Sequence, residues 1–420
     1  MRPAHRSVGF ETVLKKISVN QLTIGMYLQG TDESWLKHSL WRTRFVIQDQ
    51  EQLQKIRASG IGACWIDIEQ GCDVPAPAAA ATLAVLETPV VEAPRRIVTS
   101  MAEELRAAAL LRRRSAQAMR EMFRQVRLGQ AIEPTVCAPL VADVVESINR
   151  NPDALISLMR LKSADEYTYL HSVTVCALMV ALGRQLGMNQ EQCRDAGMAG
   201  MLHDLGKAAM PQEVLNKPGK LTAEEFDIIK THPVRGHEML LEVGGVSESV
   251  LDVCRHHHER MDGTGYPDRL APEQISLIAR MGAVCDVYDA VTSDRPYKSG
   301  WDPAYAIAQM ASWKGHFDTD VFKAFIRSVG IYPTGSLVRM SSGRLGVVVQ
   351  QNAESLSKPV VKLFFSTNGN VPLKPQLMDL SRPNSTDRIT ARESPDNWNF
   401  KHLVSLWVGD DELTQALGVA

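Results

Sequence analysis

Seven of the eleven histidines in this 420-residue chain fall between His171 and His258, and two of them, His171 and His203, lie in segments that are largely apolar. His171 begins the run HSVTVCALMVALG, and His203 with Asp204 lies in MLHDLGK. Asp286 interrupts LIARMGAVCDVYDAV, a run that is apolar on nearly every face of a helix. Burying a carboxylate is unfavourable by several kcal/mol unless it is paired or binds a metal. The chain must therefore fold so that these separate segments share one polar partner inside a core.

The segment from about residue 131 to 330 is predicted to be helical almost throughout. Its helix start signals, two with capping-box spacing and one before a proline, are Asn189, Thr222 and Asp302. Its stop signals are glycines: Gly187, Gly315 and Gly330. We find no repeat period, so the pattern predicts a helical bundle rather than a solenoid.

The flanks of this bundle have different patterns. Residues 15–71 combine strand-like alternation with a short helix and predict a small α+β domain. Residues 72–100 are rich in Ala and Pro and predict a linker. Residues 101–128 predict an Arg-rich connecting helix that is solvated, with specific partner binding as the alternative. β-Branched runs near the end predict a small antiparallel sheet, closed by a short helix within 398–408.

The predicted fold class is mainly α: an all-helical bundle with a small α+β N-terminal domain and a small antiparallel β C-terminal subdomain. The predicted boundaries are 1–71 for the N-terminal domain, 72–130 for the linker and connecting helix, 131–334 for the bundle and 335–420 for the β-rich extension. Because every polar candidate lies in the bundle, a fragment starting near Ile132 and running to the end is expected to fold and to keep the activity of the site.

Composition argues against several classes of protein. The net charge is −2, so no overall positive field attracts nucleic acid. Met1 to Asn20 lacks the apolar run of a signal peptide. The most membrane-like stretch, Val74 to Val91, contains prolines and Glu87, which predict a linker rather than a membrane span. The seven cysteines are odd in number and form no C-x-x-C pair, which favours a reduced, cytoplasmic protein.

The clustered imidazoles and carboxylates together predict a metal site. Each has an ordinary explanation taken alone: a single core histidine is usually structural, His232 precedes Pro233 at a helix end, and RHHHER resembles a solvated surface tract. Together they exceed what a bundle core would hold, which favours a shared divalent cation. Mixed His and carboxylate ligands without Cys suit Fe, Mn, Zn or similar ions, and their number is compatible with two metals.

Two motifs point to a known family. HDLGK, from His203 to Lys207, resembles the HD-x-G-K signature of the HD phosphohydrolase superfamily. HHERMDGTGYP is similar to the H-H-E-x-x-D-G-x-G-Y-P signature of the HD-GYP subfamily, and DVYDAVTSDRPYK resembles the segment that follows it. This resemblance covers about 135–335. The segment KISVNQLTIGMYL resembles a small domain of unestablished function that often precedes HD-GYP domains.

The resemblance implies a set of metal ligands: His171, His203, Asp204, His232, His257, His258 and Asp286. Asp204 would bridge two metals, and the distance to Asp262 leaves His256 outside the set. Family members with a third metal carry a glutamate where this chain has Tyr167, and Glu166 points about 100° away on a helix. We therefore expect two divalent ions, with Fe or Mn preferred and Zn, Ni, Co or Mg also compatible.

The activity that the resemblance implies is hydrolysis of cyclic di-GMP to pGpG, with further hydrolysis to GMP left open. Two cations would lower the pKa of a bridging water, giving hydroxide at neutral pH, and would hold the phosphate. Lys207, one helical turn after His203, would stabilise charge in the transition state. In the family, residues such as Arg295 and Lys298 contact phosphate; the ordinary alternative is a solvated helix end. Tyr266 would contact substrate or a partner protein.

Two alternative functions stay open at this point. The first is a phosphodiesterase for another cyclic dinucleotide, because a metal centre does not distinguish the bases. The second is a catalytically weak cyclic di-GMP receptor, which is disfavoured because every ligand position and Lys207 are intact. The implied partners are the cyclic dinucleotide, a diguanylate cyclase or other signalling protein at the GYP loop, and a second copy in a homodimer.

Overall fold

The computed structural model divides into two compact units, Met1–Val91 and Glu92–Ala420, which are described separately here. The residues that the structure describes are 14–31, 45–47, 49–57, 63–67, 72, 99–130, 133–161, 167–217, 219–294, 300–352, 354–398, 400, 403–409 and 413–414.

The N-terminal unit contains one antiparallel sheet and one helix. Its elements are β1 (Leu14–Ser18), β2 (Tyr27–Thr31), β3 (Phe45–Val46), α1 (Gln50–Arg57) and β4 (Ala63–Asp67). The strand order is β1-β4-β2-β3, and each neighbouring pair is antiparallel. Leu22, Met26, Ile47 and Ile66 are fully buried in its core. The predicted small α+β domain is therefore confirmed.

The second unit is built mainly of helices. They are α2 (Met101–Arg127), α3 (Cys137–Arg150), α4 (Pro152–Met159), α5 (Tyr167–Gln185), α6 (Gln190–Leu202), α7 (Gln212–Leu215), α8 (Ala223–Ile229), α9 (His232–Val243), α10 (Glu248–His256), α11 (Leu277–Thr292), α12 (Pro303–Ser312), α13 (Thr319–Val329) and α14 (Leu403–Val408). None of the helices in the described ranges is long and apolar enough to cross a membrane. The predicted all-helical bundle is confirmed.

The helix boundaries follow the chemistry of their caps. The side chains of Asn189 and Thr222 each accept a hydrogen bond from the backbone N–H three residues later, and each belongs to a complete capping box. Asp302 caps α12, whose first residue is a proline. Gly330 ends α13 with a φ of 85°, a conformation that glycine adopts without strain. These predicted start and stop signals are confirmed.

Helix α5 lies at the centre of the bundle and packs closely on α6. The residues of α5 from Leu170 to Leu182 are buried, which explains why this helix is apolar all round. Gly200 of α6 faces the backbone of Cys176, and a Cβ there would lie 2.9 Å from the Cα of Cys176. The glycine therefore lets the two backbones approach each other, which brings the start of α5 close to the end of α6.

Helix α2 packs into the bundle, contrary to the predicted solvated connecting helix. Leu105, Met119 and Phe123 are essentially inaccessible and belong to the same core as α5. Glu104, which is 1% exposed, accepts hydrogen bonds from Arg150 of α3 at 2.7 and 3.0 Å. The prediction was wrong because an arginine count does not show the buried stripe that runs along the opposite face of an amphipathic helix.

The C-terminal segment forms a five-stranded antiparallel sheet and a short helix, as predicted. Its strands are β5 (Leu337–Met340), β6 (Arg344–Gln350), β7 (Val360–Ser366), β8 (Val371–Asp379) and β9 (Ile389–Arg392). They are ordered β8-β7-β6-β5-β9. Val347 and Phe364 of this sheet, with Trp407 of α14, join the same core as the helices. The sheet thus covers the bundle, and the four sequence-based domain boundaries stay predictions.

Candidate metal centre

Five helices bring the predicted ligands together, some at their ends and some within the helix. His171 lies in the first turns of α5, and His232 is the first residue of α9. His203 and Asp204 follow the last residue of α6; His257 and His258 follow α10; Asp286 lies within α11. All except His258 are at most 5% exposed, and the His258 side chain is 20% exposed. The structure therefore places all seven side chains in one buried cluster.

Backbone carbonyl oxygens orient three of the histidine rings. The Nδ1 of His203 lies 2.8 Å from the carbonyl oxygen of Gly200, and that of His232 lies 2.7 Å from that of Ile229. The Nδ1 of His257 lies 2.9 Å from the carbonyl oxygen of Val253. Because a carbonyl can only accept, Nδ1 donates its proton in each ring, and Nε2 has a lone pair when the ring is neutral. The lone pairs of these three rings point toward the centre of the cluster.

Asp204 lies between two groups of these rings. Its Oδ2 is 3.3 Å from the Nε2 of His171 and 3.4 Å from that of His203. Its Oδ1 is 3.2 Å from the Nε2 of His232 and 3.7 Å from that of His257. Each carboxylate oxygen thus faces one pair of imidazoles, the arrangement expected of a ligand shared by two cations.

The second carboxylate, Asp286, completes the cluster on both sides. Its Oδ1 lies 3.0 Å from the Nε2 of His171, and its Oδ2 lies 3.6 Å from the Nδ1 of His258. Candidate ligand atoms converge within 4.8 Å of one another in three overlapping groups: His171, His203 and Asp286; His203, Asp204 and His257; and His232, His257 and His258. Groups of three N and O donors at this separation are suited to a divalent cation.

Several of these contacts join two hydrogen-bond acceptors. Such contacts show whether the residues fit a metal, because two acceptors need a cation or a proton between them. The Nε2 atoms of His232 and His257 lie 3.3 Å apart, although the ring protons of both are on Nδ1. The Nε2 of His203 and the Oδ1 of Asp204 are buried without a hydrogen-bond partner. Lone pairs that face one another in a buried site are unfavourable unless a cation lies among them. The donor set therefore fits divalent cations.

The two carboxylates are held in their ionised forms. Burial acts to raise the pKa of Asp204, but the charges of Lys207 and His203 outweigh it and keep this pKa well below its usual range. Burial also opposes ionisation of Asp286, yet its contacts with His171 and His203 hold its pKa well below the usual range. Ionised carboxylates are the forms that bind a cation.

The surroundings shift the pKa values of the imidazoles in different directions. Burial lowers the pKa of His257 well below its ordinary value, and it lowers that of His258 to about 3. Burial also acts to lower the pKa of His203, but Asp204 and Asp286 raise it above the ordinary value. His257 and His258 are thus neutral at pH 7, the form that coordinates metals, while a cation among the carboxylates would displace the proton from His203.

Lys207 lies at the edge of the cluster, although not on the helix that its spacing predicted. Helix α6 ends at Leu202, and Lys207 belongs to a short 3-10 helix, Leu205–Ala209. Its Nζ lies 2.5 Å from the Oδ2 of Asp204, and its side chain is 24% exposed. The tighter turn of the 3-10 helix thus brings Lys207 into an ion pair with Asp204.

The GYP loop follows His258 and is fastened by a buried glutamate. Glu259 is 3% exposed, and its carboxylate accepts hydrogen bonds from the backbone N–H groups of Asp268, Arg269 and Leu270 at 2.7–3.1 Å. The ring of Tyr266 packs on the ring of His258 with centroids 4.6 Å apart. The structure thus places Tyr266 beside a candidate ligand at the exposed side of the cluster.

Some predicted site residues cannot be placed. Arg295 and Lys298 lie outside the described residues, as does Glu166. Tyr167 is the first residue of α5. The predicted phosphate contacts of Arg295 and Lys298 therefore stay predictions.

Sequence reasoning missed three residues that shape the cluster. Asp289 is fully buried, and its Oδ2 lies 2.7 Å from the Nδ1 of His171. Glu259 fastens the GYP loop, and Gly206 allows the 3-10 helix to meet α9, since a Cβ there would overlap the carbonyl oxygen of His232. The signals were present: Asp289 is one turn after Asp286 in an apolar helix, and Gly206 and Glu259 lie inside the two motifs.

Comparison with known families identifies both units. A family model described as an HD domain matches residues 135–321. A second model, a domain of unknown function (DUF3391), matches residues 14–137. The first range contains every candidate ligand of the cluster.

Relatives of known description extend this result. A cyclic di-GMP phosphodiesterase of Pseudomonas aeruginosa is 52% identical over 398 residues, which cover 94% of this chain and 96% of the relative. The cyclic di-GMP phosphodiesterase response regulator RpfG of Xanthomonas campestris is 41% identical over 185 residues, covering 41% of this chain and 47% of the relative. The 3'3'-cGAMP-specific phosphodiesterase 1 of Vibrio cholerae is 33% identical over 177 residues, covering 42% and 41%.

A helical HD domain with a buried cluster of histidines and aspartates that fits divalent cations defines a metal-dependent phosphohydrolase. Given the nearly full-length relative at 52% identity, the chain belongs to the HD-GYP family of phosphodiesterases. The match to the domain of unknown function begins in the N-terminal unit and continues to residue 137, so it also includes α2. The family inferred from the two motifs is confirmed.

Proposed function

We propose that this protein hydrolyses cyclic di-GMP to linear pGpG and thereby lowers the level of this second messenger. The relative that matches nearly the whole chain is named a cyclic di-GMP phosphodiesterase. The buried cluster supplies the chemistry that such hydrolysis needs, because phosphodiester cleavage is commonly assisted by paired divalent cations.

One observation carries the proposal. Asp204 presents one oxygen to His171 and His203 and the other to His232 and His257, all at 3.2–3.7 Å. A carboxylate surrounded in this way by lone pairs supports a centre of two cations that share it. We assign His171, His203 and Asp286 to one side of this centre. His232, His257 and His258 form the other side.

We propose two divalent ions, with Fe or Mn preferred and Zn, Ni, Co or Mg also compatible. Imidazole nitrogens with carboxylate oxygens, and no thiolate, suit this range of metals. When bound, the ions supply a water of lowered pKa as the nucleophile and neutralise charge on the phosphate. Asp204 and Asp286 provide the negative charge that retains them.

The remaining roles belong to side chains around the cluster. Lys207 has no lone pair to give when protonated, so we assign it to the phosphate rather than to a metal. Its ammonium would stabilise the charge that develops in the transition state. Tyr266, beside His258, would contact the substrate on the exposed side. Arg295 and Lys298 are proposed to contact the phosphates, as in the family.

The proposed activity is tested by incubating metal-loaded protein with cyclic di-GMP, 3'3'-cyclic GMP-AMP and cyclic di-AMP, followed by chromatographic separation of the products. We expect cyclic di-GMP to be cleaved fastest, with pGpG as the first product and its conversion to GMP followed over time. Faster cleavage of 3'3'-cyclic GMP-AMP would show that this nucleotide, and not cyclic di-GMP, is the preferred substrate. The Vibrio cholerae relative is named as specific for it. Binding of cyclic di-GMP without cleavage of any nucleotide would indicate a receptor.

We further propose that the protein acts in the cytoplasm and that the GYP loop contacts a diguanylate cyclase or another signalling protein. All seven cysteines are free, which is compatible with a reducing compartment. Asp262 and Thr264 of the loop are exposed and accessible to a partner. A homodimer is also proposed, and size-exclusion chromatography with light scattering tests it.

A further inference from the structure

The ring of His171 is held by a different kind of acceptor from those of His203, His232 and His257. Its Nδ1 lies 2.7 Å from a carboxylate oxygen, the Oδ2 of Asp289. The Nδ1 atoms of His203, His232 and His257 lie against backbone carbonyl oxygens instead. A carboxylate is the stronger acceptor, since it carries a full negative charge.

Asp289 is buried next to the cluster and lies one helical turn from the candidate ligand Asp286. It is 0% exposed and lies on α11 one turn after Asp286. Its other oxygen, Oδ1, is 3.4 Å from the Oγ of buried Ser293. A fully buried carboxylate is unfavourable unless it is paired with a donor, and the Nδ1–H of His171 is such a donor. The charge of Asp289 therefore lies directly behind the His171 ring.

This pair makes the two sides of the cluster electrostatically unequal. The His171 side contains the Oδ1 of Asp286 at 3.0 Å from the Nε2 of His171, with Asp289 behind the ring. The rings of His232 and His257 on the other side are backed by neutral carbonyl groups. Asp289 therefore places a negative charge behind the His171 ring, where the rings of His232 and His257 have neutral carbonyl groups.

We propose that Asp289 is a positioning residue that fixes the tautomer and direction of His171 and makes the His171 side the higher-affinity half of the metal centre. The inference rests on the proposed function, because it assumes that the cluster binds two divalent ions. By donating its Nδ1–H to Asp289, His171 keeps the Nε2 lone pair toward the cluster. Outer carboxylates of this kind raise the basicity of the ligating histidine, and their loss typically weakens metal binding by about 10–100-fold.

The experiment is a titration of the metal-free full-length protein with Co²⁺, followed by visible absorption and calorimetry. Wild type should show two binding steps of different affinity. In Asp289→Asn, the tighter dissociation constant should rise by about 10–100-fold, while the weaker one changes little. The substitution keeps the side-chain shape but offers an amide that can donate to Nδ1, which would move the ring proton to Nε2 and block the lone pair.

One further variant separates the two sides of the cluster, and a second controls for the loss of one negative charge. His232→Ala should remove the weaker step, and adding Asp289→Asn should then weaken the step that remains. Asp320→Asn removes a charge from an exposed aspartate on α13 and should leave both steps unchanged. Circular dichroism of each metal-free variant reports whether it is folded.

Each other result has a defined meaning. Unchanged binding in Asp289→Asn, or equal weakening of both steps, would overturn the inference and leave the proposed function intact. A variant that is unfolded without metal would assign Asp289 to the core and would also overturn it. Wild type that binds no Co²⁺ in either step would instead contradict the metal centre of the proposed function.

Discussion

Asp204 is the residue on which the two halves of the proposed metal centre depend. Its carboxylate oxygens face different imidazole pairs, and Lys207 pairs with one of them at 2.5 Å. The surrounding charges hold its pKa well below the usual range despite burial. The residue is therefore ionised whenever the protein is folded near neutral pH, and its charge is available to both sides.

Replacing Asp204 by asparagine should strip the metal and abolish turnover together. The amide keeps the size of the side chain but removes the charge and places a donor against one imidazole pair. Elemental analysis and phosphodiesterase assays of the purified variant measure the two effects, with Asp320→Asn as a surface control for loss of one charge. A variant that retains two metal equivalents and near-normal rates would exclude the assigned centre.

Replacing Lys207 by alanine should separate catalysis from metal binding. Both metal equivalents should remain, while kcat falls by on the order of 10²–10³, the effect typical of removing one group that stabilises transition-state charge. Lys323→Ala, at a lysine whose side chain is 60% exposed on α13, is the matched control. If Lys207→Ala turns over as fast as wild type, this lysine has no part in the mechanism; if it loses metal, its role is to retain Asp204.

At the scale of elements, side chains at and just after the end of α10 hold the GYP loop in place. Glu259 accepts hydrogen bonds from the backbone N–H groups of residues 268–270. Arg255 forms a bidentate pair with Asp268 at 2.7 and 2.9 Å. These contacts close the loop back onto the end of α10. The position of Tyr266 against His258 therefore depends on Glu259.

Glu259→Ala should loosen this loop without changing the set of ligand residues. Leaving buried donors unsatisfied should destabilise the protein by about 1–3 kcal/mol. Thermal unfolding measures that loss, and hydrogen exchange should show faster exchange of the amides of residues 268–270. Glu273→Ala, an exposed position shortly after the loop, is the control. Unchanged protection of these three amides would contradict the anchoring role.

At the scale of the whole molecule, α2 decides where an independent catalytic fragment can begin. Its buried face contains Leu105, Met119 and Phe123, and Glu104 pairs with Arg150. Removing the helix would uncover the core residues that it packs against and remove the buried carboxylate that pairs with Arg150. A boundary near residue 132, which the sequence had suggested, therefore cuts through the bundle.

Two fragments test this boundary. A fragment from residue 97 to the end should be soluble and helical, bind metal and cleave cyclic di-GMP, because all seven ligand positions and α2 are present. A fragment from residue 132 should aggregate or lose helicity, because the core is exposed. Circular dichroism and the product assay distinguish them. A long fragment that is folded and metal-loaded yet inert would show that the N-terminal unit is needed for catalysis.

The sequence by itself determined the class of fold and picked out the candidate ligands. Helix caps, glycine stops and strand alternation are local signals, so the positions of Asn189, Thr222 and Gly330 at helix ends could be read directly. The motifs placed His203, Asp204 and the His257–His258 pair because their spacing is local as well.

Only the tertiary structure decided the contacts between distant segments. Asp289 and His171 are 118 positions apart, so no local pattern could show that they are paired. The buried face of α2 was hidden for a related reason: Arg112 counts as charged, yet it is 5% exposed and its guanidinium donates to the carbonyl oxygen of Leu161. A long side chain can bury its apolar stem along a neighbouring surface, and whether it does so depends on which surface lies opposite.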